Sequence, residues 1–249
     1  MADSNNETLL VAQGLTRRFG GLLAVSEMSM QVHDREIVGL IGPNGAGKST
    51  TFNLLSGFLK PTAGNLQLFG KDVTGRSPEH ISRLGLVRTF QHGSLMRSMT
   101  VEHNILVGAL GRMARIGRKE QQARVVEAAE LVGLGHVLKE EAGSLPHGMQ
   151  RLVSIAIAYV SRPRLLCLDE PLTGLNQTEV GTVLDVFRRI RDEYGSSILL
   201  VEHNMKAVMQ TCDRLYVLHH GRLLASGTPD EVRANQEVLA AYLGSANVH

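Results

Sequence analysis

The chain has 249 residues, of which 43% are hydrophobic and 20% charged, with a net charge of +2. That length suits one or two domains with ample material for a core, and the near-neutral charge argues against nucleic acid or an anionic membrane as the main partner. No apolar run approaches the ~18 residues of a bilayer span; Cys167 and Cys212, lacking Cys-x-x-Cys spacing, give no disulfide framework and fit a reducing cytosol.

Met1 to Glu7 is polar and acidic, unlike a signal peptide. Residues Glu7 to Val32 alternate apolar and polar positions around glycines, which predicts strands joined by tight turns. Glu36 to Ile41 is a short apolar run that reads as a buried strand. It leads into Gly42-Pro-Asn-Gly-Ala-Gly-Lys-Ser-Thr50, which fits Gly-x4-Gly-Lys-Ser/Thr, the phosphate-cradling P-loop. Backbone N–H groups must converge on phosphate oxygens, so Gly42, Gly45 and Gly47 remove side chains that would block approach. Pro43, Asn44 and Ala46 complete the cradle. Lys48 adds positive charge for the β- and γ-phosphates, and the Ser49 hydroxyl can ligate Mg²⁺. Thr50 lies in a helix expected to begin near Gly47 and to point its positive dipole end at the anion.

Between Gly57 and Gly75, the run Asn65 to Phe69 reads as a further strand and turn, and Ser77-Pro78 as a helix start with proline in the first position. From Thr100 to about Val160, Ala, Glu, Arg and Leu recur at helical spacing, which predicts a helical subdomain. Leu165 to Asp169 is an apolar strand ending in two carboxylates, Asp169 and Glu170, before Pro171. In a parallel sheet, ligands sit at the carboxyl ends of strands, so Asp169 can hold Mg²⁺ and Glu170 can orient or deprotonate an attacking water. Cys167, inside that strand, reads as a small buried hydrophobe. Strand-like runs at Arg164–Leu168, Ser196–Val201 and Arg214–Leu218 alternate with helices. The fold class expected is α/β, with a mainly parallel core sheet.

With these motifs in place, the chain resembles the ATP-binding subunit of ABC transporters over nearly all its length. Gln91 in Arg88-Thr-Phe-Gln91 falls at the family's Q-loop, Ser144 to Arg151 at its signature, Leu172 to Asn176 at its D-loop, and His203 at its switch histidine. Phe19 matches the aromatic that stacks on adenine, although an aromatic between Arg18 and Gly20 could instead simply pack into the sheet. The resemblance implies one ATPase domain over 7–247. Its parts would be a P-loop NTPase core, an N-terminal antiparallel β subdomain and an inserted α-helical subdomain at about 92–160. It implies ATP and Mg²⁺ as ligands, with Glu170, His203 and Gln91 in catalysis and Ser49, Gln91 and Asp169 on the metal. The remaining histidines carry no metal spacing.

Arg88-Thr-Phe-Gln91, Val201 to Met209 and the tail Gly227-Thr-Pro-Asp-Glu-Val … Ala241-Tyr-Leu-Gly244 narrow the resemblance to the branched-chain (hydrophobic) amino-acid uptake group, and within it to the larger of two ATPase subunits. That implies a second ABC ATPase as partner, in a heterodimer or a homodimer, and two transmembrane permease subunits. It also implies an extracytoplasmic solute-binding protein acting indirectly, a place on the cytoplasmic face of the membrane, and no nucleic acid. Relatives carrying amides, urea or aromatic acids keep other solutes open, and a non-transport ABC-type ATPase is the remaining alternative. One departure stands out. The family signature reads Leu-Ser-Gly-Gly-Gln, whereas this chain has Leu145-Pro146-His147-Gly148-Met149. Pro146 offers neither a hydroxyl nor an N–H. One reading is that variation here is tolerated, since relatives in this group also lose the serine; the expectation is the other, a weakened signature that faces the partner's nucleotide, with this chain's own site intact.

Overall fold

The computed structural model describes residues 7–89, 95–109 and 116–246. They divide into two compact units, one drawn from the stretches 1–84 and 197–249, the other from 85–196. The first unit starts with a hairpin of β1 (Thr8–Phe19) and β2 (Leu22–His33), paired up to Phe19 opposite Leu22. Met28, Met30 and Val32 are buried while Ser29 and Gln31 point outward or toward the edge, the period of two that a half-buried strand requires. β3 (Ile37–Ile41) is buried at every position, as expected of a strand covered on both faces. α1 (Lys48–Leu55) follows, then β4 (Ala63–Leu68), β5 (Lys71–Asp72) and α2 (Pro78–Leu84). The order β2-β1-β4-β5 makes a wholly antiparallel sheet.

The second unit opens with the short β6 (Leu86–Arg88) and continues through α3 (Val101–Ala109), α4 (Arg118–Leu131) and α5 (His147–Tyr159), with 3₁₀ turns at Gly135–Val137 and Ala142–Ser144. β7 (Leu165–Asp169) lies parallel to β6, with Leu86 opposite Leu165 and Arg88 opposite Cys167. α6 (Gln177–Asp192) begins with a reciprocal cap. The Asn176 side chain accepts from the Glu179 N–H at 3.0 Å, and the Glu179 carboxylate accepts from the Asn176 N–H at 2.9 Å. Val183, Leu184, Phe187 and Ile190 recur at helical spacing and are buried, and Phe187 alone contributes about 2–3 kcal/mol by leaving water.

The chain then returns to the first unit with β8 (Ser197–Val201), α7 (Met205–Thr211), β9 (Arg214–His219), β10 (Arg222–Gly227), α8 (Pro229–Ala234) and α9 (Gln236–Ala246). Strands run in the order β10-β9-β3-β8; β3 is parallel to β8 and β9, and β10 is antiparallel. The fold is thus α/β, with a mainly parallel core sheet and a separate antiparallel sheet, as the sequence implies. Among the described residues no helix is long and apolar enough to cross a membrane.

Candidate functional site

Residues 42–50 leave the carboxyl end of β3 and enter α1. Gly42 has φ 151°, and a β-carbon there would lie 2.2 Å from the Leu218 carbonyl oxygen. Gly47, the residue capping α1, has φ 99°, and its β-carbon would lie 2.8 Å from the Ala24 oxygen. Neither position admits another residue without moving backbone. Among the described residues no side chain caps α1, and a helix N-terminus favours an anion. Lys48 is buried, and its Nζ donates to the carbonyls of Gly42 at 2.8 Å and Pro43 at 3.0 Å. These bonds tie the charge to the mouth of the loop. Asn44, Gly45 and Ser49 are exposed, Pro43 and Thr50 are half-buried, and Ala46 is buried.

Two supports of this loop are not legible in the motif. The turn between β9 and β10 reaches it through Gly221, whose N–H donates to the Ala46 carbonyl at 2.9 Å. The Gly221 carbonyl in turn accepts from the Ser26 N–H at 2.8 Å, which ties the turn to β2. In the same unit, Phe19 ends β1 with 42% of its surface exposed, and the Arg17 guanidinium stands 4.6 Å from its ring centroid. The ring is therefore partly open to solvent, with the Arg17 guanidinium over one face. His203 is exposed just after β8. Its N–H and that of Asn204 donate to Oε2 of Glu202 at 3.1 and 3.4 Å, and Asn204 caps α7 by accepting from Ala207 at 3.1 Å. Glu202 is fully buried, a carboxylate that fixes the turn from beneath.

The acidic pair belongs to the second unit. Asp169 closes β7, and its side chain is 4% exposed. Arg88 donates to its Oδ2 at 2.9 Å, and the Asp169 N–H donates to the Thr89 hydroxyl at 3.2 Å. Oδ1 is buried with no hydrogen-bond partner among the described residues. Burial pushes this carboxyl above the usual carboxylate range; the Arg88 charge and hydrogen bond pull it down, and Glu170 adds a smaller upward push. A buried carboxylate oxygen without a partner is costly unless a cation satisfies it. Glu170 is half-buried with φ 48°, a left-handed conformation that costs a non-glycine residue about 1–2 kcal/mol. Glu27, Arg35, Phe69, Arg162 and His220 share that region. Gln91 lies outside the described residues.

Mg²⁺ is compatible with the donors in each unit taken by itself. It prefers hard oxygen donors and usually takes one or two protein oxygens plus substrate phosphates rather than a protein cage. Asp169 Oδ1 and the exposed Ser49 hydroxyl are such donors, and no group of three His, Cys, Asp or Glu that could hold a metal occurs among the described residues.

The altered signature sits at the start of α5. Pro146 caps the helix, a place where a missing N–H is tolerated. His147 is exposed, and its Cε1 would lie 3.1 Å from a β-carbon on Gly174, within the Leu172–Asn176 segment. Arg151 donates to the Thr173 carbonyl at 3.3 Å, so the two segments are held together.

Residues 25–173 match the model of the ABC transporter family, and residues 222–247 match that of the branched-chain amino acid ATP-binding cassette transporter. The high-affinity branched-chain amino acid transport ATP-binding protein LivG of Salmonella typhimurium is 44% identical, over 97% of this chain and 100% of that protein. BraF of Pseudomonas aeruginosa, described in the same words, is 41% identical over 96% of this chain and 98% of its own length. The crystal structure of the ADP conformation of MJ1267, an ATP-binding cassette of an ABC transporter, superposes with a TM-score of 0.87 at 27% identity, covering 95% of this chain and 99% of that one. The chain belongs to the ABC transporter family, within the group of ATP-binding proteins that LivG and BraF represent.

Proposed function

We propose that this chain binds ATP with Mg²⁺, hydrolyses it, and so powers the import of branched-chain amino acids through membrane-spanning permeases. The observation that carries the reading is the uncapped N-terminus of α1 behind a glycine cradle, with buried Lys48 at its mouth, in a chain 44% identical to LivG over almost its whole length. Gly42 to Thr50 hold the phosphates, and Phe19 offers its exposed face to adenine. Ser49, Asp169 and Gln91 hold Mg²⁺, which when bound neutralises charge on the phosphate oxygens. Glu170 orients and deprotonates the attacking water, and His203 donates to the γ-phosphate. Residues 7–247 act as one ATPase domain, with about 92–160 as its inserted helical part.

The chain works as a peripheral subunit on the cytoplasmic face, paired with a second ABC ATPase. A solute-binding protein outside the membrane delivers the solute to two permeases. With Pro146 and His147 in its signature, this chain gives a weakened contact to the nucleotide held by its partner, and its own P-loop set is complete. The direct test is binding of a fluorescent ATP analogue and steady-state hydrolysis by the reconstituted transporter. Lys48→Ala should lose most nucleotide affinity. Glu170→Gln should keep binding and lose roughly two or more orders of magnitude of turnover. Unchanged affinity in the first variant, or near-wild-type turnover in the second, refutes the assignment.

A further inference from the structure

We infer that Arg88, assisted by Thr89, is a positioning residue for the metal-binding carboxylate of Asp169. The inference rests on the reading of Asp169 as a Mg²⁺ ligand and goes beyond it. Arg88 sits in β6, where Leu86 is buried and the strand runs parallel to β7. A guanidinium in such a strand needs a reason, because a buried ion pair gives stability no better than a well-packed apolar pair would. Its side chain is only 12% exposed and donates to Asp169 Oδ2 at 2.9 Å. The next residue works on the same target: the Asp169 N–H donates to the Thr89 hydroxyl at 3.2 Å, and the Thr89 N–H donates to the Cys167 carbonyl at 2.9 Å.

Two adjacent residues thus hold the side chain and the main chain of Asp169 from one strand end. With Oδ2 and the N–H engaged, the carboxylate plane is fixed and Oδ1 is the oxygen left for a cation. That oxygen is buried and has no hydrogen-bond partner among the described residues. Outer partners of this kind orient a metal ligand, and their loss typically lowers metal affinity by roughly 10–100-fold. The charge of Arg88 acts in the opposite sense, since a guanidinium repels a nearby divalent cation. The geometry favours orientation as the stronger effect, because both residues of the pair engage Asp169 and Thr89 carries no charge.

The experiment measures Mn²⁺ binding by electron paramagnetic resonance to the full chain loaded with a non-hydrolysable ATP analogue. Arg88→Ala should weaken Mn²⁺ binding by roughly 10-fold or more, while affinity for the analogue in EDTA stays within twofold of wild type. Arg88→Lys should recover part of the loss, and Thr89→Val, which is nearly isosteric and uncharged, should lose affinity in the same direction by a smaller factor. Mn²⁺ affinity that is unchanged or increased in both Arg88→Ala and Thr89→Val overturns the proposal. Should Arg88→Ala not fold, Arg88→Lys and Thr89→Val decide in its place. Asp169→Asn separates the two levels. If it leaves Mn²⁺ binding intact, Asp169 is not the ligand. If it abolishes binding while the Arg88 and Thr89 variants bind normally, the ligand stands and the positioning role falls.

Discussion

Gly221→Ala tests whether the turn between β9 and β10 carries the phosphate loop. Gly221 has φ 76°, and an L-residue in that region costs about 1–2 kcal/mol. The added β-carbon would lie 2.7 Å from the Ala24 oxygen and 3.1 Å from the Ala24 carbonyl carbon. Both atoms belong to the backbone of β2, so no flexible side chain can yield, and the turn must move instead. Movement strains two bonds at once, Gly221 N–H to Ala46 at 2.9 Å and Ser26 N–H to Gly221 at 2.8 Å. Each is worth about 0.5–1.5 kcal/mol, which brings the expected loss to roughly 2–5 kcal/mol. Because Ala46 lies inside the cradle, affinity for ATP should fall several-fold as well. Urea unfolding and titration with a fluorescent ATP analogue measure the two effects on one preparation. Gly21→Ala is the control, since its β-carbon would meet nothing within 4 Å; it should stay within about 0.5 kcal/mol of wild type. If Gly221→Ala matches Gly21→Ala in stability and binds ATP like wild type, the buttressing argument is wrong.

His203→Ala should leave ATP affinity nearly unchanged and reduce turnover by roughly 100-fold, the usual loss for one donor on a developing charge; single-turnover hydrolysis in the reconstituted complex checks this, and a small loss would move the role elsewhere. Restoring the signature with Pro146→Ser and His147→Gly should change hydrolysis at the partner's site by at least about tenfold, the value of one hydrogen bond to a charged group. The readout is the complex in which only the partner's P-loop is left competent; an equal change when only this chain's P-loop is competent would contradict the assignment. Burial pushes the Cys167 thiol up to about 12 and the Cys212 thiol higher still. At pH 8 an aromatic disulfide reagent should therefore label neither cysteine in the native protein and both after denaturation. Rapid native labelling of either would show that its site opens.

What the sequence discloses here is local, and what it hides is long-range. Gly42 to Thr50 are legible because cradling a phosphate requires a fixed spacing of residue types in one continuous segment. Asp169 and Glu170 are legible because an apolar strand announces its own end. Arg88 and Gly221 are different. The Arg88 contact with Asp169 joins residues 81 positions apart, and Gly221 meets Ala46 only because β9 pairs beside β3. A weak signal for Arg88 did exist, a cation after two apolar residues in Leu86-Val-Arg88, but β6 spans only three residues and shows no periodicity of its own. Phe19, which either packs into the sheet or stacks on adenine, keeps 42% of its surface exposed. Glu170 makes the sharper point. It precedes Pro171, and a residue before proline is steered toward extended backbone, yet it holds φ 48°. Local preference and observed conformation conflict at the residue proposed to activate water. The surrounding structure supplies the constraint: the strand that ends at Asp169 is buried along its whole length, and the Glu170 carbonyl accepts from the Thr173 N–H at 3.3 Å as the chain turns. Such conflicts survive only where neighbouring structure over-determines them, and they gather at functional positions. Glu170→Gly should therefore relieve backbone strain and remove the carboxylate together, which predicts a protein at least as stable as Glu170→Gln and just as inactive. If Glu170→Gly is instead the less stable of the two by more than about 1 kcal/mol in urea unfolding, strain is not stored at this turn.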